Sequence, residues 1–216
     1  YENQFETGKR QQIIDLSEDK KFLILNNLPL DTENKFLIDY MEKGTEDDVK
    51  MFLKANLIYP FNDPKIQNLK SEITKKMEAN EIDDWTMIWN ISNFVSNYIE
   101  NSYVHNSASI FDIIETKKGD CSEHAHLFTT IARSFGFPTR TVGGYAYGEG
   151  TYGAHAWNEV LIEIENEGLF WLPIDTTWDL MFTNMHIKEK NDARPINNLS
   201  LTLKNIVYEN GEIQNF

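Results

Sequence analysis

The sequence predicts an α+β domain, and three observations carry that prediction. Apolar residues recur at helical spacing as far as Gly136, with capping residues ahead of several stretches. From Arg140 the period drops to two, and a hairpin turn separates two apolar runs. The chain has 216 residues and is 41% hydrophobic, enough for one domain with a real core. A helical half followed by an antiparallel sheet is α+β order.

The elements follow in sequence. Phe22-Leu23-Ile24-Leu25 reads as a short strand, and Phe36, Leu37, Tyr40 and Met41 recur at helical spacing until Gly44 breaks the pattern. Thr45 can cap a second helix, with Asp48 at its third position and Val49, Phe52 and Leu53 facing inward. Asp63-Pro64 is a helix start: a capping carboxylate, then a proline in the first turn. Ile66, Leu69, Ile73 and Met77 form its apolar stripe. Asp83 or Asp84 caps the next helix, with Trp85, Ile88, Ile91, Val95 and Ile99 inside. Ser109 begins a short helix that ends before Gly119. Cys121 opens another, which buries Leu127, Phe128, Ile131 and Phe135 and stops at Gly136. Strands are predicted over Arg140 to Tyr147, His155 to Ile164 and Leu169 to Ile174, with Glu165-Asn166-Glu167-Gly168 as the hairpin turn. No repeat or low-complexity segment interrupts this order. Residues 1–60 are Asn-rich and less regular. They read as an N-terminal extension, the end of an upstream region, with the main domain over 61–216.

Charge narrows the partners. The net charge is −14, which argues against a nucleic-acid partner, because phosphate recognition needs a basic patch. No apolar run approaches the ~20 residues of a membrane helix, so no membrane insertion is expected in this segment. No calcium loop pattern is present. One cysteine rules out an intrachain disulfide. The chain begins with Tyr1, so a natural start is expected upstream. If that start is a removed signal, the protein is secreted or belongs to the cell envelope. Otherwise the compartment is open.

The chemistry sits in three short stretches. Cys121 lies in Gly119-Asp120-Cys121-Ser122-Glu123-His124-Ala125, where a loop becomes a helix. His155 follows 34 residues later (155 − 121) in Ala154-His155-Ala156-Trp157, and Asp175 a further 20 on (175 − 155) in Pro173-Ile174-Asp175-Thr176-Thr177-Trp178. A thiol, an imidazole and a carboxylate are the parts of a nucleophilic triad. Sulfur attacks as thiolate, the imidazole takes and returns a proton, and the carboxylate fixes the imidazole's tautomer. The gaps are too long for one turn or one metal loop. They suit a helix followed by two antiparallel strands that carry the partners back to the helix tip.

The segment from Thr116 to Trp178 resembles the core of the transglutaminase-like superfamily, in particular bacterial members regarded as cysteine proteases. The resemblance rests on Lys118-Gly119-Asp120-Cys121-Ser122-Glu123-His124-Ala125, Gly136-Phe137-Pro138-Thr139-Arg140-Thr141-Val142, His155-Ala156-Trp157-Asn158-Glu159-Val160 and Asp175-Thr176-Thr177. Thr176 departs from the pattern, which usually has proline there; the turn changes but the carboxylate stays. The resemblance implies a papain-like cysteine-protease fold. The catalytic Cys would sit at a helix N-terminus packed on an antiparallel sheet, with Cys121, His155 and Asp175 as catalytic residues. It also implies a protein or peptide substrate, attacked at a peptide bond or glutamine side-chain amide through a thioester. Water then gives hydrolysis and a lysine amine gives a crosslink. No cofactor and no metal are expected.

Neighbouring residues have plainer readings. A zinc site from Cys121, His124 and His126 is opposed by spacing, since His126 points away from the other two on a helix, and no cluster completes four ligands. His124 is expected to pack or hydrogen-bond near the site, and Glu123 to complement the helix dipole. Trp157 is read as core, facing away from His155. Trp178 is a candidate cleft residue. Tyr103, Trp85 and Trp89 are candidates for a second oxyanion donor beside the Cys121 N–H, each more simply structural. Gly143-Gly144 suggests close backbone approach, by substrate or by the Cys121 helix. The alternative to an enzyme is a protein- or peptide-binding domain that retains the fold without catalysis. The presence of all three triad residues disfavours it.

Overall fold

The computed structural model of the chain describes residues 11–17, 20–25, 41–77, 82–103, 109–148, 150–181, 186–189, 205–207 and 213–215. The Phe36-to-Tyr40 part of the predicted first helix lies outside them.

Each helix begins where a side chain satisfies the first free N–H groups. Thr45 caps α1 (Glu46–Phe52) in a capping box with Asp48. Asp63 caps α2 (Pro64–Lys76), Asp83 caps α3 (Asp84–Tyr98) and Ser109 caps α4 (Ile110–Thr116). Asp120 caps α5 (Cys121–Ser134) in a second capping box, with Glu123. Gly136, at φ 96°, turns the chain out of α5.

Apolar stripes on these helices build one core. Ile66, Leu69 and Ile73 of α2, Ile88, Ile91 and Val95 of α3, and Leu127, Phe128 and Ile131 of α5 are buried together. Val160, Ile162, Leu172 and Ile174 from two central strands complete the cluster. One inward expectation holds in part and another fails. Helix α1 has no fully buried residue; Val49, Phe52 and Leu53 are half-buried, with Phe52 edge-on to the Trp171 ring at 5.2 Å and under the Arg133 guanidinium at 5.6 Å. Trp85 stays 39% exposed in the first turn of α3, as large indoles often do.

The main sheet is antiparallel. Its strands are β3 (Glu42–Lys43), β6 (Thr139–Gly148), β7 (Thr151–Ile164), β8 (Gly168–Asp175), β9 (Leu180–Met181) and β10 (His186–Lys188). Their order is β10-β6-β7-β8-β3, with β9 also on β8. The β7–β8 hairpin turns through Asn166 and Gly168, both at positive φ. Short pairs lie outside it: β1 (Gln11–Ser17) with β2 (Lys20–Leu25), β4 (Glu100–Asn101) with β5 (Lys118–Gly119), and β11 (Asn205–Val207) with β12 (Ile213–Asn215). Among the described residues only β4–β5 is parallel. This is an α+β fold.

Two polar devices hold strands and helix in register. Asn158, fully buried in β7, donates from Nδ2 to the Ala125 carbonyl at 2.9 Å and to Thr129 Oγ1 at 2.8 Å, both on α5. Arg140 of β6 bonds Glu159 of β7 and Glu42 of β3, and lies over the Trp171 ring at 4.0 Å. Lys188 of β10 bonds both of those carboxylates at 2.8 Å. The first device couples α5 to the strand that carries His155.

Candidate active site

Cys121 is the first residue of α5, partly open to solvent. Capping explains the sequence around it. Asp120 accepts the Ser122 N–H at 2.8 Å, and Glu123 reaches back to the Asp120 N–H at 2.9 Å. Gly119 makes room for that return: a Cβ there would lie 2.3 Å from the Glu123 Cβ. Glu123 is therefore a buried cap as well as a dipole partner.

The strands bring the other two residues to it. His155 donates from Nε2 to Asp175 Oδ2 at 2.7 Å and interacts electrostatically with Cys121. With Nε2 taken by Asp175, Nδ1 is the nitrogen left for sulfur. The His155 side chain is 7% exposed and that of Asp175 is 1%. Asp175 Oδ1 accepts the backbone N–H groups of Thr177, at 2.9 Å, and Trp178, at 3.3 Å. Neither is the N–H of residue 176, so a threonine there leaves the carboxylate's partners intact.

Electrostatics follow from these contacts. Burial works against charge on His155, but the bond to Asp175 and the neighbouring charges of Asp175 and Cys121 outweigh it, raising its pKa from 6.5 to about 9. Burial would likewise raise the Asp175 carboxyl. The two imidazoles bonded to it prevail and hold it well below the usual carboxylate range. His124 behaves oppositely: burial lowers its pKa despite nearby carboxylates. Its Nδ1 donates to the Asp120 carbonyl at 2.7 Å, which fixes the tautomer and leaves Nε2 bare.

The second imidazole on Asp175 is His186 of β10, which no motif signals. Its Nε2 meets Oδ2 at 2.8 Å, and its side chain is 1% exposed. Register explains the meeting. His155 pairs with Gly144 of β6 and His186 with Ala146 of β6, two positions along on the same face. Those small residues let imidazoles from the strands on either side of β6 approach, their rings 5.3 Å apart.

The aromatic surroundings correct two expectations. Trp157 is core, but it lies two residues from His155, and period-two alternation puts it on the same face. Its ring is near-parallel to His155 at 6.4 Å. Gly144 does admit a close approach, by neither substrate nor helix: a Cβ there would lie 2.0 Å from the Ile187 carbonyl oxygen of β10. Trp178 stacks on His155 at 4.4 Å and 16°, its other edge against Gly148, and is 39% exposed. Trp89 is less suited to an oxyanion role. Its Nε1 donates to the Asn93 side-chain oxygen at 2.7 Å when that amide satisfies both of its atoms.

His155, Asp175 and His186 also place three possible metal ligands within 4.8 Å of one another. Ligand atoms on a tetrahedral ion, each ~2.1 Å from it, lie ~3.4 Å apart. The 2.7 and 2.8 Å spacings are those of hydrogen bonds.

Residues 67–176 match the Transglutaminase-like superfamily. The chain belongs to that superfamily. A solved structure of a candidate cysteine protease from Cytophaga hutchinsonii is 25% identical, with a TM-score of 0.54, over 67% of this chain and 46% of that one. The periplasmic domain of TgpA from Pseudomonas aeruginosa is 19% identical, with a TM-score of 0.47, over 63% of this chain and 49% of that one. This chain thus spans about half the length of the structures it matches. No curated protein sequence matches it significantly. Among the described residues no helix is long and apolar enough to cross a membrane.

Proposed function

We propose that this chain is a cysteine-dependent acyl-transfer enzyme acting on peptide bonds or glutamine side-chain amides. One observation supports this most. Three side chains far apart in sequence lie together: Asp175 bonds His155, His155 interacts electrostatically with Cys121, and the thiol sits at a helix N-terminus, still open to solvent. The superfamily match and the cysteine-protease description of the Cytophaga hutchinsonii protein support the same reading.

The Cys121 thiolate attacks the amide carbon. Negative charge moves to oxygen, where the Cys121 backbone N–H at the start of α5 is one donor to it. The C–N bond breaks and the departing nitrogen takes a proton from His155. His155 suits that step, since it holds its proton at neutral pH. A thioester remains. Water attacks it, His155 accepts the water proton, and the carboxylic acid leaves as the thiolate is restored. A lysine amine in place of water yields an isopeptide bond. Asp175 touches no substrate; it keeps the His155 Nε2–H in place and stabilises the imidazolium.

The test is mass spectrometry of the protein with a peptide library, with and without an added amine. A peptide adduct on Cys121, resolving to acid or to amide, is the expected result. Turnover without any adduct on Cys121 would sink the proposal.

A further inference from the structure

We propose that His186 is a positioning residue of this site: by sharing Asp175 Oδ2 with His155, it anchors the carboxylate and divides its charge between two imidazoles. The inference rests on the triad reading above and deepens it. Oδ2 accepts from His155 at 2.7 Å and from His186 at 2.8 Å, while Oδ1 accepts two backbone N–H groups. The four bonds fix the carboxylate from three directions: β7, β10 and the turn after β8. Trp157 and Trp178 pack edge-on to the His186 ring, at 4.9 and 5.5 Å, and hold it in place.

The consequence is electrostatic. A carboxylate facing His155 alone would stabilise the imidazolium more strongly, and a proton held too tightly is slow to leave. A second N–H on the same oxygen withdraws part of that stabilisation. His155 then gives its proton to the leaving amine and recovers its basic form for attack by water. The titratable groups around this carboxylate are His155 on β7, His186 on β10, and His124 and Cys121 on α5. Burial lowers the His124 pKa, and Cys121 lies across His155. His186 is thus the second proton donor on Oδ2.

The experiment compares His186→Phe, which keeps a packed ring without a donor, with His186→Gln, whose amide N–H can reach Oδ2. Two readouts are taken: the His155 titration by NMR on labelled histidine, and the pH profile of kcat on whichever peptide the wild type turns over. His186→Phe should raise the His155 midpoint and lower kcat ~10-fold with KM little changed, the low end of the effect of losing an orienting partner. His186→Gln should restore most of both. An unchanged or lowered His155 midpoint in folded His186→Phe overturns the proposal. So would one equivalent of zinc retained by wild type and lost in that variant. If the phenylalanine variant does not fold, His186→Asn, too short to reach Oδ2, must show the same upward midpoint. The NMR readout needs no turnover, so a failure of the enzymatic reading and a failure of this one are distinguishable.

Discussion

The two ends of the candidate site are built on opposite principles. At the tip of α5, Cys121 is partly open, held by backbone caps one residue before it and two after it. At the end of β8, Asp175 is sealed, with each carboxylate oxygen accepting two hydrogen bonds. The difference is what the chemistry asks for. A nucleophile must meet substrate, so its position is fixed through the helix it begins and its sulfur is left exposed. An orienting carboxylate must not move, so its charge is buried and bonded on all sides. His155 joins them, bonded to Asp175 and interacting electrostatically with Cys121.

If the helix end supplies the reacting atom, its loss should have the largest effect. Cys121→Ala should abolish turnover, at least ~10⁴-fold, because a side chain without a nucleophile leaves only binding and oxyanion stabilisation. Folding should be unaffected by circular dichroism. Turnover within tenfold of wild type would move the chemistry elsewhere.

His155→Ala removes the joint between the ends and should lower kcat by ~10²–10⁴-fold, the range for proton transfer. Asp175→Ala should fall within or below that range, since the thiol and the helix N–H survive. Wild-type turnover in folded Asp175→Ala would make Asp175 a turn residue only.

Linkage sharpens the comparison from the stability side. The folded-state pKa of His155 is raised from 6.5 to about 9. Its contribution to stability is therefore fully present below pH 6.5 and is lost as pH rises through about 9. Denaturant unfolding across that window should show stability falling in wild type, with a shallower fall in His155→Gln. Equal slopes would show that the raised value is absent. Asp175 has the reverse sign: its depressed pKa gives stability present above pH 3.8 and lost as pH falls through the lower folded value.

The smallest effect concerns the link between the ends. Asn158→Ala removes both bonds from β7 to α5 and should destabilise the fold by ~1–3 kcal/mol, the range for leaving buried partners unsatisfied. Thermal unfolding reads it. An unchanged Tm would leave apolar packing alone to couple helix and strand.

Legibility of the molecule tracks the range of its interactions. Thr45, Asp63, Asp83 and Ser109 were readable as caps because each bonds an N–H within three residues of itself. The pairing of His155 with Asp175 was readable from residue type, order and spacing. The burial of Trp85 was overstated because helical period alone does not say how far a partner helix extends. His186 was silent. It lies 11 residues beyond Asp175 (186 − 175) in a three-residue strand whose pairing with β6, set by Gly144 and Ala146, has no local signature. The Gly144 contact was misassigned for the same reason: its partner is the Ile187 backbone of that same short strand.

The most direct measurement needs no substrate. Cys121 is the only thiol in the chain, so the rate of iodoacetamide alkylation at neutral pH reports on it alone. If Asp175, His155 and Cys121 act as one unit, wild-type Cys121 reacts far faster than a free peptide thiol. That rate falls sharply in His155→Ala and partly in Asp175→Ala. A wild-type rate equal to that of a free thiol, unmoved by either substitution, would contradict the account.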